Sequence, residues 1–282
     1  MNTMRNTATG TLLAELHADV RDTLGARAME RLRIQRAVLG IFFTGVQLDN
    51  GVGGLCATPI KGVPEAVCCP SSALAMPVPG RIAGRSAAEV LQDLYRPQDL
   101  RRALAIATLN ALAETLWQRD GPPPGARVVE GDAFDALAIA PGQRVALVGA
   151  FPPYLRALRR SNQPFHVLEL DPGTLKPEEL PFYAPADRAP EIVAQADVLI
   201  TTGTTLINGT LDDLLCHLRP GAQAAVVGPT ATLRAAPFAR RGATVVGGTR
   251  VLAAAELLDL LAEGGSGYHF FGKSVERICL CL

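Results

Sequence analysis

What this sequence lacks narrows the field first. An excess of one charge is missing: 27 Lys and Arg balance 27 Asp and Glu, for a formal net charge of +0. Nucleic acid is held by a basic excess or stripe, so it is excluded as the principal partner. The basic pairs Arg159–Arg160 and Arg240–Arg241 read as solvated helix ends. No apolar run reaches the roughly 20 residues a membrane helix needs. The polar stretch Met1–Gly10 has no apolar core of the secretory kind. A cytoplasmic location with no membrane partner is therefore expected. Six cysteines (Cys56, Cys68, Cys69, Cys216, Cys279 and Cys281) in 282 residues make no disulfide framework, and free thiols are expected. Neither Cys68–Cys69 nor Cys279-Leu280-Cys281 has the C-x-x-C spacing of a zinc knuckle, although a Cys-x-Cys tail can hold a soft metal. The four histidines, His17, His166, His217 and His269, are scattered and form no ligand motif. His17 and His217 are expected on helix surfaces. His269, in the aromatic stretch Gly267–Lys273, is the best polar candidate near the C-terminus, and Lys273 reads as an ordinary exposed lysine. No triad or acid/base carboxylate pair stands out.

What is present is apolar residue in quantity, 48% of the chain, which is ample for a core. Leu12, Leu13, Leu16, Val20 and Leu24 share one helical face. Residues 33–48 read as one long strand, or two with a bend near Gly45. Asp49-Asn50-Gly51 is a turn signal, and a second strand over 54–60 completes a hairpin. Residues 62–84 are loop-like. Ser86 with Glu89 forms a capping box for a helix broken by Pro97, and Asp99 caps a longer helix ending near Trp117. The stiff spacer Asp120-Gly-Pro-Pro-Pro-Gly125 marks the domain boundary. The organisation expected is a smaller α+β domain over 1–120, a linker over 121–126, and a larger domain over 127–282.

Beyond the linker, short apolar runs at 144–148, 165–170, 197–201 and 222–227, with a weaker one at 243–246, alternate with helical segments. Runs without polar alternation mark strands buried on both faces, and this alternation gives a Rossmann-like parallel sheet flanked by helices. Ligands of such sheets sit at the carboxyl ends of the strands. The first strand ends in Gly149-Ala150-Phe151-Pro152-Pro153, which is not the G-x-G-x-x-G of ordinary dinucleotide binding. It is either a tight strand-to-helix turn or a ligand contact through Gly149 and Phe151. The second ends in Glu169-Leu170-Asp171; Glu169 or Asp171 suits a ribose diol, or a turn cap before Pro172. The third ends in Thr201-Thr202-Gly203-Thr204-Thr205-Leu206-Ile207-Asn208-Gly209-Thr210. Asn208 or Thr210 can cap the next helix, but a cap needs one hydroxyl, and the excess at Thr202, Gly203, Thr204, Thr205 and Asn208 favours a polar or anionic ligand. Gly228, Pro229 and Thr230 close the fourth strand in another small loop. In the N-terminal half, Asn50, Gly54 and Cys56 lie in a glycine-rich stretch that serves the hairpin turn or one wall of a cleft; a buried, inert Cys56 is the commoner case.

VALVGAF at 145–151, ADVLITTGTTLINGTLDDLL at 196–215 and VVGPTATL at 226–233 resemble the family described as "putative heavy-metal chelation", long labelled a domain of unknown function. GVGGLCATPI at 51–60 resembles the N-terminal partner domain that accompanies it. The resemblance implies an enolase-N-terminal-like domain on a Rossmann-like domain, with a site in the cleft between them that handles a heavy metal or a metal-chelating small molecule. Cys68–Cys69 and the CLC ending depart from the family pattern. If metal binds, Cys56, Glu169, Asp171 and the Cys279/Cys281 pair are the donors the sequence offers. Two alternatives stay open: an enzyme using a nucleotide-type cofactor such as S-adenosylmethionine, and a non-catalytic assembly module. The apolar excess is compatible with a homodimer.

Overall fold

The computed structural model describes residues 11–60, 76 and 78–282; Cys68, Cys69 and most of the loop expected over 62–84 lie outside them. Helix α1 (Leu12–Leu24) starts where the Thr11 hydroxyl accepts from the Ala14 amide, and it buries Leu12, Leu13, Leu16 and Val20. His17 joins that buried face instead of the surface expected for it. It lies one turn beyond Leu13, so it borders the apolar stripe, and its Nδ1 is 2.7 Å from the Tyr95 hydroxyl. Burial, then the neighbouring Arg21, depresses its pKa. After the short α2 (Ala26–Arg31) come three antiparallel strands in the order β1 (Ile34–Leu39), β2 (Phe43–Leu48) and β3 (Gly53–Ala57). The chain reverses between β1 and β2 at residues 40–42, not at Gly45. Gly45 sits inside β2, where an added Cβ would lie 2.7 Å from the methyls of both Leu258 and Leu261. Its small size answers to packing, not to a bend. The turn at Asp49–Gly51 forms as read, with the Asn50 Oδ1 accepting from the Val52 amide at 3.1 Å.

Helix α3 (Ala87–Leu91) carries the Ser86/Glu89 capping box. Helix α4 (Asp99–Asp120) has Gln98 at its N-cap position, with no side-chain capping bond, and Asp99 in its first turn rather than as the expected cap; it runs past Trp117 to a C-cap at Gly121. The Gly121–Gly125 segment then leads to β4 (Arg127–Glu130) and the short α5 (Ala133–Ala136). The parallel unit follows: β5 (Val145–Val148), α6 (Pro152–Arg160), β6 (Phe165–Glu169), β7 (Tyr183–Pro185), α7 (Ala189–Gln195), β8 (Val198–Thr202), α8 (Thr205–Asn208), α9 (Leu211–Cys216), β9 (Gln223–Val227), α10 (Ala236–Ala239) and β10 (Val245–Val251). Helices α11 (Ala254–Ala262) and α12 (Gly267–Phe270) lead to the last strand, β11 (Val275–Cys281).

The large sheet has eight strands in the order β4-β11-β10-β9-β8-β5-β6-β7. Its six parallel strands, β5 to β10, follow the 3-2-1-4-5-6 order of the doubly wound fold. β11 then adds antiparallel to β10, and β4 antiparallel to β11. Alternate residues of the central strands serve two layers. Ala146, Leu199 and Val226 pack with α7, α9 and α10 and belong to the same core as α1 and α4, while Leu147, Val198 and Ile200 pack with α6. The chain is thus a mixed α/β fold, with a large, mostly parallel sheet flanked by helices and a small antiparallel sheet.

Strand β3 lies so close to α4 that a Cβ on Gly54 would stand 2.1 Å from the Ala107 carbonyl oxygen and 2.4 Å from the Ala111 nitrogen. Neither backbone atom can yield alone. Gly54→Ala is expected to cost about 3 kcal/mol, read from the urea midpoint; an unchanged midpoint would mean that β3 and α4 do not meet this closely.

Candidate functional site

At the centre of the large sheet β5 runs on into β6 on one side, while β8 lies on the other. The chain therefore leaves the carboxyl ends of β5 and β8 in opposite directions, and a crevice opens between the departing loops. A cavity of about 530 Å³ occupies it. Its floor is Gly149, with φ +97°; a side chain there would be strained in this left-handed region and would crowd the Thr202 methyl at 3.1 Å. Phe151 forms one wall. It precedes Pro152, which opens α6 as a first-turn proline, and its ring stacks on Tyr154 with centroids 5.1 Å apart. Glu169 ties the first two loops together: its Oε2 accepts from the Ala150 amide at 3.1 Å and its Oε1 from the Leu170 amide at 2.9 Å.

The threonine-rich loop supplies the opposite wall. The Thr204 amide and hydroxyl both donate to Thr202 Oγ1, at 3.3 and 3.1 Å, and Thr205 Oγ1 donates to the Thr202 carbonyl at 2.6 Å. Asn208 Oδ1 accepts from both the amide and the hydroxyl of Thr210, so one face of Asn208 shapes the turn before α9. Thr202, Thr204, Thr205, Asn208 and Thr210 all line the cavity. A brace from the N-terminal half reaches this loop: the Arg102 guanidinium, on α4, donates to the Ile207 carbonyl.

The other residues singled out in the sequence divide among different places. Asp171 caps the 3-10 turn after β6 through the Gly173 amide, 2.9 Å away. Gly203 passes behind the cavity, where its amide donates to the Val227 carbonyl and a Cβ would come within 2.9 Å of the Ala231 nitrogen. Gly228 and Pro229 line a second, smaller cavity that shares Phe151 as a wall. Thr230 is buried with Cys56: its Oγ1 accepts from the Ala57 amide at 3.1 Å and lies 3.7 Å from the Cys56 sulfur. Asn50 serves its own turn and donates to Thr115, and Gly54 serves the contact with α4.

Cys279 and Cys281 belong to β11, in a full ladder with β10, and not to a free tail. Burial pushes the Cys56 thiol up to about 12, with the Thr230 hydroxyl offsetting part of the rise. Burial, then the nearby Asp132, pushes Cys279 up to about 11. Both are neutral thiols at physiological pH. Among the described residues, no group of three or more His, Cys, Asp or Glu side chains is placed to hold a metal ion.

Four polar residues on the cavity wall were not singled out as site residues: Asp187, Thr210 (read only as a possible helix cap), Asp213 and His217. His217, read as a surface residue, is the half-buried C-cap of α9 and faces the cavity. The available signal was its spacing of four from Asp213, directly after the threonine block, which puts both on one side of a helix. Among the described residues this cavity is lined only by the stretch 148–217, whereas the expectation was a cleft between the two units.

With this geometry in place, comparison with known proteins gives the family. The model of DUF364, described as "putative heavy-metal chelation", matches residues 132–280, and that of DUF4213, with the same description, matches residues 21–113. The chain belongs to the DUF364 family. An uncharacterized protein of Methanocaldococcus jannaschii is 26% identical over 178 residues; the match covers 62% of this chain and 64% of that protein, somewhat less than two thirds of its length. Two solved structures share the fold. A DUF364 protein of unknown function from Pyrococcus horikoshii superposes with a TM-score of 0.75 at 18% identity, over 96% of this chain and 100% of the other. A second, from Desulfitobacterium hafniense, gives 0.71 at 17% identity, over 96% and 98%.

The double role of Asn208, turn and wall, can be separated. Asn208→Ala removes both hydrogen bonds to Thr210 and is expected to cost about 1 kcal/mol of stability. Asn208→Asp keeps the acceptor and should match the wild-type melting temperature. Equal loss in both variants would mean that the amide nitrogen, not the turn, carries the structural role.

Proposed function

We propose that the crevice between β5 and β8 receives a small metal-chelating molecule, carried with its metal, and that the protein binds or handles this complex as cargo. The observation that carries the reading is the character of the cavity. Its volume of about 530 Å³ falls within the roughly 300–1,000 Å³ typical of small-molecule sites, far more than a bare ion fills. Its polar groups are hydroxyls, the Asn208 amide, the carboxylates of Glu169, Asp187 and Asp213, and the His217 imidazole; no cysteine is among the lining residues. Soft heavy metals favour thiolates, whereas oxygen donors and a single imidazole suit the rim of a metal complex whose own ligand supplies the inner donors. The description of the family agrees with such a cargo.

A nucleoside-type cofactor such as S-adenosylmethionine is the second reading. One observation favours it: Glu169 stands at the end of the second strand of a 3-2-1-4-5-6 sheet, the position that takes ribose hydroxyls in dinucleotide-binding relatives of this topology. Against it, Phe151, Pro152 and Pro153 bring bulk and remove amide donors where a pyrophosphate would approach. Topology alone assigns no chemistry.

Native mass spectrometry with elemental analysis, on untagged protein purified without chelators, separates the two. A stoichiometric adduct containing both a metal and an organic ligand, weakened at least tenfold by Asn208→Asp, is expected. Metal-free protein whose melting temperature rises only with adenosine compounds would overturn the cargo reading in favour of the second.

A further inference from the structure

The smaller cavity, of about 210 Å³, lies beyond Phe151 at the carboxyl end of β9 and beside the middle of β10, with β11 and the start of α5 as its other walls. It is not part of the crevice proposed for the cargo, and its chemistry differs. Its cation is Arg277. The guanidinium lies over the Phe271 ring, 4.1 Å from the centroid, and among the described residues no ion pair neutralises it. A guanidinium over an aromatic face keeps N–H groups available for a carboxylate. Its anion is Asp132. The Asp132 Oδ1 accepts from the Phe134 amide at 2.9 Å and from the Tyr154 hydroxyl. Oδ2 has no protein partner among the described residues. Arg277 and Asp132 both line the cavity without pairing with each other. Gly131 and Gly228, which also line the cavity, have positive φ and open space where a Cβ would stand.

A small cavity with an exposed cation at its rim and a half-buried anion in its wall, each with bonding capacity left over, matches a ligand with the same two charges in reverse. We infer that this cavity is a binding site for a free α-amino acid, its carboxylate on Arg277 and its ammonium on Asp132. The zwitterion satisfies both. The volume, below that of drug-sized pockets, restricts the ligand to a single small metabolite.

The test is calorimetric titration of the full chain with each of the twenty standard L-amino acids. At least one is expected to bind with a Kd of about 1 mM or tighter. Its N-acetyl derivative and its amide should each bind about tenfold or more weakly, the loss of one charge-assisted contact. Arg277→Gln and Asp132→Asn should cause similar losses; Asn at 132 retains the acceptor for Phe134 and Tyr154. Asn208→Asp, in the larger cavity, should leave amino-acid binding unchanged. No binding by any of the twenty, blocked derivatives that bind as well as the free acid, or acetate competing equally while Asp132→Asn is silent would each overturn the inference. So would binding that survives Arg277→Gln but is lost with Asn208→Asp.

Discussion

The structure depends on one side chain in the seam between its two sheets. Asn110, on α4, donates from Nδ2 to the Leu55 carbonyl at 2.8 Å and to the Pro229 carbonyl at 3.0 Å, and its Oδ1 accepts from the Thr232 hydroxyl at 2.7 Å. It thereby ties β3 of the small sheet to the loop that follows β9 of the large one. Beside it the Thr230 hydroxyl takes the Ala57 amide. Thr230 and Thr232 are buried and Asn110 is half-buried, so these bonds satisfy groups that have little access to water. Stranding such a partner costs about 1 to 3 kcal/mol, and Asn110 holds three at once. The apolar contacts agree: one continuous core joins Leu12, Leu16 and Leu109 to Leu199, Val226 and Phe238.

The closed seam leaves open volume elsewhere. Cys56 and Thr230, which the sequence offers as cleft residues, are spent on joining the two units. Open volume remains where the fold itself must leave it, above the divergence of β5 and β8. The N-terminal half still contributes there at one remove, through the hydrogen bond from Arg102 to Ile207 that braces the threonine-rich loop. Phe151 stands between two open volumes, with threonine hydroxyls and carboxylates on one side and the mutually unpaired charges of Arg277 and Asp132 on the other.

Much of this was legible in the residues. The central strands of the large sheet are uniform apolar runs because both of their faces are covered, and the threonine block marks a strand end because hydroxyls have no place inside such a run. β4, β7 and β11 escaped notice for the opposite reason. β7 has three residues and β4 is half-exposed at the sheet edge, while β11 pairs antiparallel beyond the parallel series that its own sequence gives no cue to. That omission also made Cys279 and Cys281 look like a tail. The lining of the candidate site was legible as loops but not as partners. Thr202, Thr204 and Asn208 come from the block itself, whereas Asp187 and His217 reach the cavity only through the crossover helices. Thr201, alike in sequence, points into the core.

Calorimetric unfolding of the full chain asks whether the seam stays closed until the whole fold is lost. A single transition, with calorimetric and van't Hoff enthalpies equal, is the expected result, since units that share a core and the Asn110 bonds cannot melt apart. Two resolved transitions would contradict it. They would mean that the seam opens independently and that Cys56 and Thr230 are again candidates for a cleft between the two units.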